Sequence, residues 1–215
     1  MKRILTIAYW LIIIVVTFLI VILSWNALSY FNFNTSFGFL KLKESAIATG
    51  WYLPFYYAHV LAAGIILFVG FFQLLIGFRP QMKQLHKLMG RTYAYGIIFF
   101  AAPGGLIMSF FIERGPWVLL SFLLQTVLWF VFTILAVQKA QKRELASHRD
   151  WMLRSYSLTF AAVTLRLYVF ITVGTVDLTN PSAYGIIAWL SWTLNLLVVE
   201  VYRIFKPTNF LATSD

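Results

Sequence analysis

The sequence predicts an all-α polytopic membrane protein: a six-transmembrane-helix bundle with the N and C termini cytoplasmic. Three observations carry that expectation. Hydrophobic residues make up 61% of the chain and charged residues 11%, with a mean hydropathy of +0.82, well outside the range of a water-soluble domain. Apolar runs recur over about 4–23, 54–77, 88–111, 117–138, 151–173 and 184–205, each close to the roughly 20 residues that carry a helix across about 30 Å of hydrocarbon. Thirteen of the 17 Lys and Arg fall in segments that six alternating spans place on one face of the membrane, against Lys41, Lys43 and Arg114 on the other.

Each element follows from these runs. The first, behind Lys2-Arg3, reads as an uncleaved span, because no small-residue cleavage site precedes Trp25. Residues 24–53 form the long outer loop, whose FNFNTSFGF and GWYLPFYY stretches are aromatic enough to lie in the interface and cover the outer mouth. The remaining connections are short and punctuated by Gly77 to Pro80, Gly115-Pro116 and Asn180-Pro181. No linker divides the chain, so residues 1–215 read as one integral membrane domain. The third span carries Pro103-Gly104-Gly105 near its centre, which predicts a kink. A strand-built barrel would need alternation over about 10 residues per strand, and none is present.

The net charge of +10 would suggest nucleic acid in a soluble protein, but its placement follows the rule that retains Lys and Arg in the cytoplasm. The expected partner is therefore the lipid bilayer and not nucleic acid, and the expected location a bacterial inner (cytoplasmic) membrane. Absence of cysteine excludes disulfides, thiolate metal sites and thiol catalysis. No HExxH, GxSxG or acidic pair gives a hydrolase or metalloprotease reading. The catalytic residues, if any, are unassigned, and no metal site is expected.

Ionisable groups inside a span cost about 2.5–3.5 kcal/mol each on insertion scales, so each demands a partner or a cavity. His59 and Arg166 lie at similar depth, roughly 8–10 Å below the outer ends of the second and fifth spans at a rise of about 1.5 Å per residue. Helical steps of three, four and seven place His59, Ala62, Ala63, Ile66, Gly70 and Gln73 on one stripe, and Ser155, Thr159, Ala162 and Arg166 on another. His59 and Arg166 are thus an outer ligand-binding layer. Gln73, Asn195 and Glu200 form the remaining polar core, with Glu200 able to pair with Arg203, Arg91 or Arg154. At the inner side HKLMGRTY, residues 86–93, and HRDWMLRSY, residues 148–156, echo one another, so that His86 and His148 stand at the mouth with Arg91 and Arg154 one or two turns deeper.

The approach to His59, Gln73, HKLMGR at 86–91, HRDWMLRSYSLTFAAVTLRL at 148–167 and AWLSWTLNLLVVE at 188–200 together resemble the bacterial membrane proteins grouped as domain of unknown function 2306. The resemblance covers residues 54–203. Lys87 stands where that family usually has arginine, which keeps the charge but loses a fork of donors. The resemblance implies a fold and a residue pattern but no activity.

Three functions remain open on sequence. One is a structural or assembly role, with another membrane protein as partner, in which His86, Arg91, His148 and Arg154 satisfy interfacial hydrogen bonds. A second is a haem- or quinone-linked redox role, with His86 and His148 as axial ligands of a haem b and the arginines on its propionates. The third is transport or binding of an anionic lipid or small anion attracted by the same basic residues.

Overall fold

The computed structural model describes residues 2–77 and 79–205. Among these it is all-helical, with six helices long and apolar enough to cross a membrane. They are α1 (Lys2–Leu28), α3 (Tyr52–Ile76), the pair α4 (Lys83–Gly96) and α5 (Ala102–Ser109), α6 (Pro116–Gln141), α7 (Leu145–Thr172) and α8 (Pro181–Phe205). A short helix, α2 (Glu44–Ala48), lies between the first two spans. Lys206, counted above with the basic face, lies outside the described residues.

The expected spans are all present, but most are longer. Helix α7 begins at Leu145 and α4 at Lys83, so both histidine-bearing segments are helical extensions of their spans. The stretch expected as an outer loop from residue 24 is corrected: α1 runs to Leu28 and passes into a 3-10 turn, Ser29–Asn32. Nothing in Ser24-Trp25-Asn26-Ala27 breaks a helix, and near lipid the backbone is better served by its own hydrogen bonds than by none. The rest of that connection folds onto the bundle end. Leu40, Ala46, Tyr52 and Tyr56 form a buried cluster, and the Phe39 amide donates to Tyr30 Oη at 2.8 Å.

Packing runs in chain order. Helix α1 lies along α3, α3 against α4 and α5, α5 against α6, α6 against α7, and α7 against α8, which closes back on α6. Helix α7 is central. Its face of Ser155, Tyr156, Leu158, Thr159, Ala161, Val163 and Thr164 is buried, which is why a span with so many hydroxyls is stable in an apolar phase. By contrast, Ile4, Ile7, Leu11, Ile12, Ile14, Val15 and Phe18 of α1 are exposed, a surface suited to lipid tails.

The expected kink is a change of helix type. Between α4 and α5 the chain makes a π-helical turn, Ile97–Ala101, which ends two residues before Pro103, a residue with no N–H to continue the ladder. The glycines that follow serve close approach. A Cβ on Gly104 would lie 2.6 Å from Phe55 O and 2.9 Å from His59 Cβ, and one on Gly105 2.9 Å from His59 Nδ1. Only glycine lets α5 come this near to α3.

Candidate binding cavities

Two hollows enter the bundle from opposite ends. The wider, about 600 Å³, lies toward the end that carries α2 and is walled by α3, α5, α6, α7 and the start of α8. Its volume falls within the roughly 300–1,000 Å³ of ligand pockets. Both His59 and Arg166 line it, so the two residues matched by depth on sequence share one space.

Arg166 lies on the wall of this cavity and is exposed to it. Nη1 donates to Ala162 O, one turn back on its own helix, at 3.0 Å. Among the described residues no carboxylate pairs with it. His59 Nδ1 lies 2.6 Å from Ala101 O. Because a carbonyl only accepts, Nδ1 carries the proton, and Nε2 is the nitrogen left to the cavity.

Other charges stand at the mouth. Lys43, Glu113 and Arg114 line it, but Glu113 is engaged: Ser45 Oγ donates to it at 2.8 Å and Lys43 Nζ lies 3.8 Å away. Lys43 also donates to Phe111 O at 2.8 Å, pinning the α2 segment across the mouth. Arg114 donates to Leu178 O and lies 4.3 Å over the Tyr184 ring. Lys43, Arg114 and Arg166 against Glu113 leave the cavity net positive. Elsewhere its walls are mostly apolar, including Leu67, Met108, Val118, Phe122 and Leu165.

The smaller hollow, about 190 Å³, is lined by His86 and His148 together with Gln73, Arg149 and Tyr202. The two helix-start histidines therefore do face one space. His148 Nδ1 donates to Ala136 O of α6 at 2.8 Å. Neither Arg91 nor Arg154 is in the wall. Arg91 is exposed on the other side of α4, and Arg154 is turned to α8, where Nε and Nη2 donate to the two oxygens of Glu200 at 2.6 and 3.0 Å.

Glu200 also accepts from Arg203 at 2.6 Å, and Arg203 donates to Asp150 at 3.0 Å. The sequence offered Arg203, Arg91 and Arg154 as partners for Glu200; two of the three are used at once. Gln73 donates to His86 O at 2.8 Å, joining α3 to α4. Asn195 donates to Ser157 O and Thr164 Oγ1 at 3.2 and 3.0 Å, joining α7 to α8. Both therefore tie helices together.

Residues 56–203 match the family described as predicted membrane protein (DUF2306). The chain belongs to the DUF2306 family. No curated protein and no solved structure matches it. The family description carries no activity, so the chemistry of this DUF2306 protein rests on its cavities.

Sequence reasoning missed a buried ring at mid-bundle. Trp129 Nε1 donates to Thr159 Oγ1 at 3.0 Å, and Tyr93 Oη lies 2.8 Å from Thr159 Oγ1 and 2.9 Å from Ser155 Oγ. Ser155 Oγ in turn lies 2.8 Å from Thr133 Oγ1, which donates to Trp129 O at 2.7 Å. The Ser155–Thr159–Ala162–Arg166 stripe was the available signal. Its hydroxyl half meets the ring and its Arg166 end meets the cavity, a division that depends on which helices stand opposite.

Proposed function

We propose that this DUF2306 protein binds a small amphipathic anion in the wider cavity, reached from the outer face of a bacterial inner membrane. One observation carries the reading: Arg166 opens onto that cavity with no carboxylate beside it among the described residues. A guanidinium below the interface costs several kcal/mol unless a counter-charge or water meets it, and its planar donors suit a carboxylate or phosphate. The apolar walls suit an alkyl or aryl body. His59 adds an acceptor, Nε2, for an acidic proton or hydroxyl on the ligand.

This choice favours the third of the functions open on sequence and moves it from the inner arginines to the outer pair. A haem between His86 and His148 would need a space larger than about 190 Å³, below the roughly 300 Å³ at which ligand pockets begin. The chain of Arg154, Glu200, Arg203 and Asp150 supports a structural role for the inner basic residues, because it couples α7 to α8. A quinone would also fit apolar walls, but it brings no charge to Arg166.

The test uses hexyl phosphate, hexanol and hexyltrimethylammonium with the purified protein in uncharged detergent, read by calorimetry. Hexyl phosphate should bind and the other two should not. Arg166→Gln should weaken binding by about ten- to a hundredfold, since hydrogen bonds to charged groups contribute about 1.5–3 kcal/mol. Equal binding of all three probes, or binding indifferent to Arg166→Gln, would end the proposal.

A further inference from the structure

A hydrogen-bonded layer stands between the two cavities, beside the contact of Tyr156 Oη with Leu67 O at 3.3 Å. Trp129 and Thr159 line the wider cavity and Tyr93 lines the smaller, so the 2.8 Å contact between Tyr93 Oη and Thr159 Oγ1 joins one hollow to the other. The distances are satisfied by a closed circuit: Trp129 N–H to Thr159, Thr159 to Tyr93, Tyr93 to Ser155, Ser155 to Thr133, and Thr133 to the Trp129 carbonyl. An N–H can only donate and a carbonyl can only accept. The carbonyl end sets the sense of that circuit, while the single Thr159 proton has a second acceptor in Ser155 O at 3.2 Å, so each donor of the layer has an acceptor within it.

Helix α4, which carries Tyr93, has a weak point one turn further on. The π turn Ile97–Ala101 and Pro103 interrupt the ladder there, and such interruptions are where membrane helices bend. The carbonyl of Ala101, last residue of that turn, accepts from His59 Nδ1 at 2.6 Å. His59 lies in the wall of the wider cavity. His59 thus links the wider cavity to the turn in the helix whose tyrosine stands at the floor.

We propose that the protein is a carrier. The ring of Trp129, Thr159, Tyr93, Ser155 and Thr133 is its barrier, the π turn its hinge, and the hollow lined by His86, His148 and Arg149 the release side that widens when α4 swings. This rests on the wider cavity being the ligand site. It gives the inner histidines a role without a cofactor: they and Arg149 offer the anion a second polar resting place on the path.

The chain has no cysteine, so Leu153→Cys, in the wall of the smaller cavity, provides one label site. A charged, membrane-impermeant thiosulfonate is applied from the wider-cavity side of reconstituted vesicles. Labelling should be slow in L153C, and about tenfold faster when hexyl phosphate is present or when Tyr93→Phe removes the two hydroxyl contacts, in line with the net loss of these buried hydrogen bonds. Uptake of hexyl phosphate into the vesicles should accompany it and disappear in Arg166→Gln. The hexyl phosphate arm needs no barrier mutation, so a Y93F protein that fails to fold does not remove the test. Binding of hexyl phosphate with neither faster labelling nor uptake would overturn the carrier and leave the binding site standing. Faster labelling in Y93F with no hexyl phosphate binding would support the barrier and overturn the assigned ligand.

Discussion

At the scale of single residues, the smaller end of the bundle is held by charge placed where charge is hard to move. Arg154 and Glu200 make a two-pronged contact on half-buried side chains, 16% and 38% exposed, a geometry stronger than a single contact. Arg154→Gln should lower stability by about 1–3 kcal/mol, the range for a hydrogen-bonded charge, seen as an earlier thermal unfolding transition in detergent. Glu200→Gln should cost a similar amount, and the double variant less than the total of both, because the residues act as a unit. Strict additivity would mean that the pair is decorative. At the opposite end, Asp177 Oδ1 accepts from the Thr179 amide at 2.9 Å and from its hydroxyl at 2.6 Å, which holds the Asp177 carboxyl below its ordinary range. A carboxyl whose pKa is depressed by folding stabilises the turn above the unfolded value, near 4, and loses that contribution as pH falls through the folded value. Hydrogen exchange at the Thr179 amide should therefore quicken, relative to its intrinsic rate, as pH drops below about 4. An unchanged relative rate would remove that account of the turn.

At the scale of elements, the third span is decided by two glycines as much as by its proline. Gly104 allows α5 to lie against Phe55 O and His59 of α3, and this closeness holds His59 within reach of the Ala101 carbonyl. Gly104→Ala should destabilise the protein by about 1–3 kcal/mol through overpacking, and should weaken hexyl phosphate binding although residue 104 itself is not in the cavity wall. Calorimetry and thermal unfolding on the same sample test both parts. A variant as stable as wild type with intact binding would show that α3 and α5 can separate at no cost. Gly70 plays the matching part at mid-bundle, where a Cβ would lie 2.7 Å from both Tyr93 and Tyr156. The two tyrosines that end the echoed HKLMGRTY and HRDWMLRSY stretches meet over that one glycine.

For the whole molecule, orientation in the membrane has a simple readout. Lys139, Lys142, Arg143 and Arg149 cluster at the α6–α7 connection, whereas Arg114 stands in the connection before α6. On the rule that basic residues are retained in the cytoplasm, we propose that the α6–α7 turn and both termini lie inside. A reporter active only in the cytoplasm should work when fused after Asp215 or at Arg143 and fail when inserted at Glu113. The reverse pattern would turn the bundle over and place the wider cavity on the inner face. Either result leaves the internal geometry of the cavities as it is.

The amino-acid sequence by itself determined the number of spans and their all-helical nature, because both depend on local quantities: run length and periodicity. It also indicated family membership, through a pattern spread over most of the chain. Tertiary structure alone decided what each polar residue does. Arg91 and Arg154 occupy echoed positions, yet Arg91 is exposed and Arg154 meets Glu200, since α8 stands beside one and not the other. Ser155 and Thr159 share a stripe with Arg166 on sequence, and only the arrival of Tyr93 from α4 and of Trp129 and Thr133 from α6 closes them into a ring. A hydroxyl's chemistry in a membrane is set by the helix opposite it, and the choice of neighbour is a property of packing that no single helix encodes.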